Sequence, residues 1–233
     1  MRMVRVLKGR AKPGVLKMRI YVADLAAYNN GRLHGVWIDA SADVDDMQSE
    51  VAAMLRKSPC PNVEVECPDC EGKGLISSEA TETELASVLV CKTCNGRKVV
   101  PSAEEFAIHD YDGKWPGFGE HCGLKTIADY MEIIEAAEDR GIDADDVAAV
   151  VDHFGAHYLE AAKTAIEDGH RGHFTNLEAY AEDFVEQTTD LKSIPESIRN
   201  YIDYERMARD WELSGDIFTV DASQGGIHVF DNH

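Results

Sequence analysis

The chain has 233 residues, 44% of them apolar, and sets 23 Lys and Arg against 43 Asp and Glu for a formal charge of −20. That apolar content suits packed cores and the length admits two or three small domains, so composition excludes a disordered chain, while the sign of the charge excludes an unaided nucleic-acid binder. Residues 1–19 hold seven basic side chains and no acid, leaving 16 basic and 43 acidic groups beyond them, a net −27 spread along the chain rather than gathered in a tail.

Residues 1–18 read as a basic leader without the apolar stretch of a signal peptide, and no apolar run approaches the ~20 residues that cross a bilayer, so the expected compartment is the cytoplasm. From Arg19 to Ala40 the apolar segments RIYVADLAAY and LHGVWIDA flank Asn29, Asn30 and Gly31, which predicts a β-hairpin. Asp43, Asp45 and Asp46 then open a helix with Val44, Met47, Val51 and Met54 on one face. Residues 60–100, rich in Cys, Gly, Ser and Thr with short β-type pieces, read as an insertion before a third strand in EEFAIHDY.

Beyond Gly123 the pattern is helical. Ile127, Tyr130, Ile134 and Ala137 form one stripe, Asp143 opens a second helix with Val147, Val150 and Val151, and YLEAAKTAIEDG ends at Gly169. Further helical segments run from His173 to Ser214, with Pro195 at a helix start and Gly215 as a stop, before a closing hairpin of IFTVD and GIHVF. The expected class is α+β in an elongated multi-domain chain. Its units are an N-terminal domain over 19–118 with a small antiparallel sheet and the 60–100 insert, a central helical bundle over 119–171, and a C-terminal α+β unit over 172–233.

The sharpest local motif is CPDCEGKG (Cys67 to Gly74) answered by CKTCNGR (Cys91 to Arg97), with twenty residues between the inner cysteines. Two Cys-x-x-Cys turns aim four thiolates at one ion, and the glycines after them allow tight turns, so Cys67, Cys70, Cys91 and Cys94 are expected to hold one structural zinc per chain. The competing reading is free thiols or a redox pair, which would favour a helix start in a βαβ setting. A small insert with few apolar groups gains its missing folding energy from the metal. Cys60 and Cys122 are left over.

Acids recur in rows: Asp129, Glu132, Glu135 and Asp139; Asp143, Asp145, Asp146 and Asp152; Glu160, Glu167 and Asp168; Glu178, Glu182, Asp183, Glu186 and Asp190. At helical spacing neighbours lie about 5–6 Å apart, where like charges destabilise by a few tenths of a kcal/mol per pair. Phosphates on one DNA strand advance by a comparable ~3.4 Å per nucleotide, and a charge of −27 matches about 45 Å of duplex. The rows therefore predict a mimic of DNA, against the plainer readings of a solvated face or a halophilic host. There is no phosphate-binding loop, HExxH or nucleophile elbow, so no enzyme is expected. Asp168, His170 and His173 are weaker candidates for a metal cluster and read better as surface or packing groups, as do His109, Asp110 and Asp112.

The segment RIYVADLAAYNNGRLHGVWIDA is similar to the start of ArdA antirestriction proteins, and EEFAIHDYDG, YIDYERMARDWELSGD and GIHVF resemble later ArdA segments in the same order. The resemblance implies an acidic mimic of B-form DNA that occupies the DNA-binding groove of type I restriction-modification enzymes, with a protein partner, no direct nucleic-acid binding, no membrane and no catalysis. It also implies a homodimer whose contact involves Tyr201, Tyr204, Met207, Ala208 and Trp211. The leader and the cysteine insert depart from the family pattern. The insert resembles the cysteine-glycine repeats of DnaJ-type chaperones, with two repeats and no J-domain signature, which leaves a zinc-dependent protein–protein interaction or chaperone-like module as the alternative function.

Overall fold

The structure, a computed structural model, describes residues 18–77, 88–119 and 122–232, so all of the basic leader except Met18 lies outside the described residues. Strand β1 (Arg19–Asp24) is the middle of an antiparallel sheet. It leads into a short helix α1 (Leu25–Asn29) before β2 (Gly35–Asp39). The predicted hairpin is thus two strands joined through a helix rather than through the Asn29–Gly31 turn alone. The cause is Asp24, whose carboxylate accepts the Ala27 amide at 3.0 Å and caps a helix where the apolar pattern continued. Helix α2 (Val44–Leu55) starts as predicted on the Asp43 cap and buries Met47, Val51, Met54 and Leu55.

The insert contains β3 (Val63–Glu66), β4 (Leu75–Ser77), β5 (Val88–Val90) and β6 (Val99–Ser102), paired β3 with β6 and β4 with β5. It rejoins the body where the Ala103 amide donates to Leu55 O at 3.1 Å. Strand β7 (Phe106–Asp112) then completes the first sheet beside β1, in the order β2-β1-β7.

The helical stretch follows as α3 (Leu124–Asp139), α4 (Ala144–Phe154) and α5 (Leu159–Thr164), the last passing into a π-type turn over Ala165–Gly169. Next comes β8 (His170–Phe174), a strand that the sequence pattern did not mark. Its HRGHF sequence has little strand pattern of its own, and its place is set by pairing with a strand more than fifty residues further on. Helices α6 (Leu177–Thr188), α7 (Glu196–Arg199) and α8 (Tyr204–Ser214) lead to the hairpin β9 (Ile217–Asp221) and β10 (Ile227–Asp231). Pro195 does stand at the α7 start, and Gly215, at φ 79°, ends α8 in the left-handed conformation that glycine adopts most readily. The second sheet has the order β8-β10-β9, so the chain is mixed α+β with small antiparallel sheets.

Two apolar cores meet along α3. Leu124, Ile127 and Ala128 pack with Ile20, Val22, Ile38 and the buried face of α2. Tyr130, Ile133, Ile134 and Ala137 pack with α4, α5 and with Phe218, Val220 and Phe230 of β9 and β10. Trp115 and Phe118 touch both clusters. The same stripe that anchors α3 leaves Glu132, Glu135 and Asp139 exposed on its other side.

Candidate metal centre and acidic face

The two cysteine turns have the same backbone. The residues one, two and four places after the second cysteine all take positive φ: Glu71 (49°), Gly72 (67°) and Gly74 (78°) in the first, Asn95 (49°), Gly96 (78°) and Lys98 (72°) in the second. Left-handed non-glycine residues are uncommon, and here they turn amides back onto the cysteines. The Gly74 amide lies 3.2 Å from Cys70 Sγ, and the Arg97 amide donates to Cys94 O at 3.0 Å. Strand ladders clamp the turns together, with the Cys67 amide on Lys98 O and the Cys91 amide on Gly74 O, both at 2.9 Å.

All four sulfurs are buried and lie within 4.8 Å of one another, Cys67 to Cys91 and Cys70 to Cys94 each at 3.7 Å. A disulfide needs about 2.05 Å, whereas a tetrahedral ion at about 2.3 Å from each sulfur sets neighbouring sulfurs about 3.8 Å apart. The donor set therefore fits one closed, four-coordinate ion. Burial pushes the Cys70 thiol up to about 11. At Cys94 burial also raises it, but amides of Lys98 and Gly96 with the thiols of Cys70 and Cys91 outweigh that and bring it down to about 7. Four thiolates in one buried space require a cation to offset their mutual repulsion. Among the described residues this is the one group of three or more His, Cys, Asp or Glu side chains placed to share an ion.

Asp168, His170 and His173 do not converge. His170 Nε2 lies 3.2 Å from His228 Nδ1, and His228 Nε2 lies 3.4 Å from Asp146, while His173 bonds Gly225 O at 2.7 Å. Burial, with His228 beside it, holds His170 down at about 4, and burial likewise lowers His228. The three histidines tie β8 and β10 to α4 and to the β9–β10 turn. Asp168 is exposed and stands apart from them.

The acidic rows sort into two groups. Asp129 pairs with Lys125 at 2.8 Å and Glu132 with Lys163 at 3.3 Å. Asp143 accepts from Gln224, Asp152 from the Gly117 amide and Asp183 from Gln187. Asp146 is a correction: at 4% exposure it is withdrawn from any acidic face, and its carboxylate accepts the Ser223 amide at 2.8 Å. Glu135, Asp139, Asp145, Glu160, Glu167, Asp168, Glu178, Glu182 and Glu186 make no side-chain hydrogen bond or ion pair among the described residues, although Glu160 and Glu167 lie in the field of Lys163, and all but the half-buried Asp145 and Glu167 are exposed.

The residues assigned to a dimer contact also divide. Ala208 is fully buried within the chain and Trp211 sits edge-on to Tyr180 and Phe184 of α6, so these two hold α8 against α6. Tyr204 and Met207 are half-buried, and Tyr201 is 85% exposed. Sequence reasoning missed the exposure of Ile198 and Leu213 beside them, which no local signal marks.

Fold and sites together define an acidic α+β protein with a closed four-thiol cluster carried on an insert. The chain belongs to the ArdA family: residues 20–224 match the family model, described as antirestriction protein (ArdA). Its members are antirestriction proteins rather than enzymes. A comparison with curated proteins finds no match. No described helix is long and apolar enough to cross a membrane.

Proposed function

We propose that this chain inhibits type I restriction-modification enzymes by presenting carboxylates in place of DNA phosphates to their DNA-binding groove. The observation that carries the reading is the set of unpaired acids on α3 and α6, Glu135, Asp139, Glu178, Glu182 and Glu186 foremost, on a chain of the antirestriction family. Like charges held this close reduce helix stability, which favours a role outside folding. Paired acids such as Asp129 and Glu132 contribute less free charge, because Lys125 and Lys163 already neutralise them.

In this reading the C-terminal unit, from residue 172 onward, forms a homodimer through a surface that includes the exposed Tyr201 and the half-buried Tyr204 and Met207, so that two acidic surfaces join. Zinc held by Cys67, Cys70, Cys91 and Cys94 is structural, since a closed thiolate shell leaves no position for substrate. The test is cleavage of unmodified DNA by a type I enzyme with increasing amounts of the protein. Inhibition should be competitive with DNA and weaken as salt rises. Unimpeded cleavage at low salt across several type I enzymes contradicts the reading.

A further inference from the structure

One surface belongs neither to the acidic rows nor to the cysteine cluster. Among the described residues, strands β4 and β5 pair only with each other, Leu75 opposite Val90, Ile76 opposite Leu89 and Ser77 opposite Val88, so each has an outer edge with no described strand beside it. Leu75, Ile76, Val88, Leu89 and Val90 are 39–65% exposed. Alternation places Leu75, Val88 and Val90 on one face of this ribbon and Ile76 and Leu89 on the other, and both faces keep exposed aliphatic groups. Exposed strand edges are ordinarily guarded by charge, proline or a covering element. Neither strand carries a charge or a proline, in a chain that is otherwise rich in both signs of charge.

The root of the ribbon is closed by a backbone hydrogen bond and flanked by lysines. The Cys91 amide donates to Gly74 O there, joining the residues that end β5 and precede β4. Lys92 follows Cys91 directly, and Lys98 Cγ lies 3.2 Å from where a Cβ on Gly74 would stand. Both lysines are exposed and have no ion pair among the described residues, whereas Lys73 is neutralised by Glu71 at 2.5 Å.

We propose that the β4–β5 ribbon is a strand-addition site for one extended apolar segment of a protein partner, with carboxylates at the end that meets Lys92 and Lys98. A free edge supplies backbone donors and acceptors, exposed aliphatic side chains select apolar neighbours at alternate positions, and the lysines select the acidic flank. This chemistry is opposite to that of a basic DNA groove, so the ribbon and the acidic rows address different parts of a partner. Pairing with β4 or β5 of a second copy would leave the lysines unmatched, because those strands, LIS and VLV, carry no carboxylate themselves. Placing the segment on a restriction enzyme rests on the function proposed above; the ribbon's chemistry does not.

The full zinc-loaded chain is titrated, by fluorescence anisotropy, into three labelled peptides: Asp-Asp-Val-Ile-Val-Leu-Val, the same sequence with both aspartates replaced by lysine, and the acidic peptide N-methylated at alternate residues. The acidic peptide should bind at least about tenfold more tightly than the other two. Leu89→Lys and, separately, Val88→Ser should weaken it by a similar factor at unchanged metal content. Equal affinity for the three peptides, or wild-type affinity in Leu89→Lys, overturns the proposal. So does self-association that Leu89→Lys abolishes, which would give the ribbon to a second copy. A parallel restriction assay separates the two readings: a protein that binds the acidic peptide but leaves cleavage intact contradicts only the proposed function, and one that blocks cleavage but ignores all three peptides contradicts only the ribbon.

Discussion

Around Tyr130 and Phe230 the chain buries aromatic and branched side chains from α3, α4, α5, β9 and β10, while around Cys67 it buries four thiols, Val100 and little else. The first region is held by apolar burial, at about 1.5–3 kcal/mol for each large side chain removed from water. The second lacks that source, and its ribbon even exposes the aliphatic groups it has. Two regions of one chain thus depend on different physical terms, and a perturbation aimed at one should spare the other.

Metal removal should produce the largest separation. Structural zinc sites supply about 10–16 kcal/mol of apparent folding free energy in small modules, so a chelator, or Cys67→Ser with Cys91→Ser, should unfold the insert. Amide resonances of residues 62–77 and 88–102 should collapse while those of α3 through β10 stay in place. Collapse of both sets would show that the regions are not independent. The reverse experiment is Phe230→Ala, which empties a fully buried position stacked on Phe218. It should cost about 3–5 kcal/mol, read as a lower denaturant midpoint, with metal content unchanged.

A smaller effect is expected at Asp146. Its carboxylate serves the Ser223 amide and hydroxyl and faces His228, so Asp146→Ala should lose about 1–3 kcal/mol through the unpaired groups left behind, without weakening inhibition. Glu135→Ala, with no partner to lose, should do the opposite: negligible change in stability and weaker inhibition. The smallest expected change is with pH. His170 is held down at about 4 by burial, so the unfolded chain takes up its proton first, at about 6.5. Stability is whole above pH 6.5 and declines as pH falls toward 4, by about 1 kcal/mol once solvent screening of this half-buried ring is allowed for. The decline should be smaller in His170→Gln, with the remainder carried by His228, and unaffected by chelator.

What the sequence revealed followed from local chemistry. The Asp43 cap, the Gly215 stop and the paired Cys-x-x-Cys turns each act within a few residues of themselves, and each stands where its pattern placed it. The misreadings have non-local or competing causes. Asp146 looked like one more first-turn acid, and only the β9–β10 turn, 77 residues away, buries it. Strand β8 exists because β10 pairs with it, and α1 interrupts an apolar run because the Asp24 carboxylate caps a helix there. Ala208 and Trp211 pack against α6 of the same chain, a contact that helix periodicity alone does not distinguish from one with a second subunit. The exposure of the ribbon was invisible for the related reason that alternating aliphatic residues announce a strand and not what lies beside it.

In the proposed function, unpaired carboxylates rather than the fold as such inhibit restriction. The most direct measurement compares the wild-type chain with a variant carrying Glu135→Gln, Asp139→Asn, Glu178→Gln, Glu182→Gln and Glu186→Gln in a type I cleavage assay on unmodified DNA, with both proteins shown to be folded at the assay temperature. The wild type should block cleavage, and the neutralised variant should need at least about tenfold more protein to do so, with a flatter dependence on salt. Equal inhibition by the two proteins at low salt would contradict the claim.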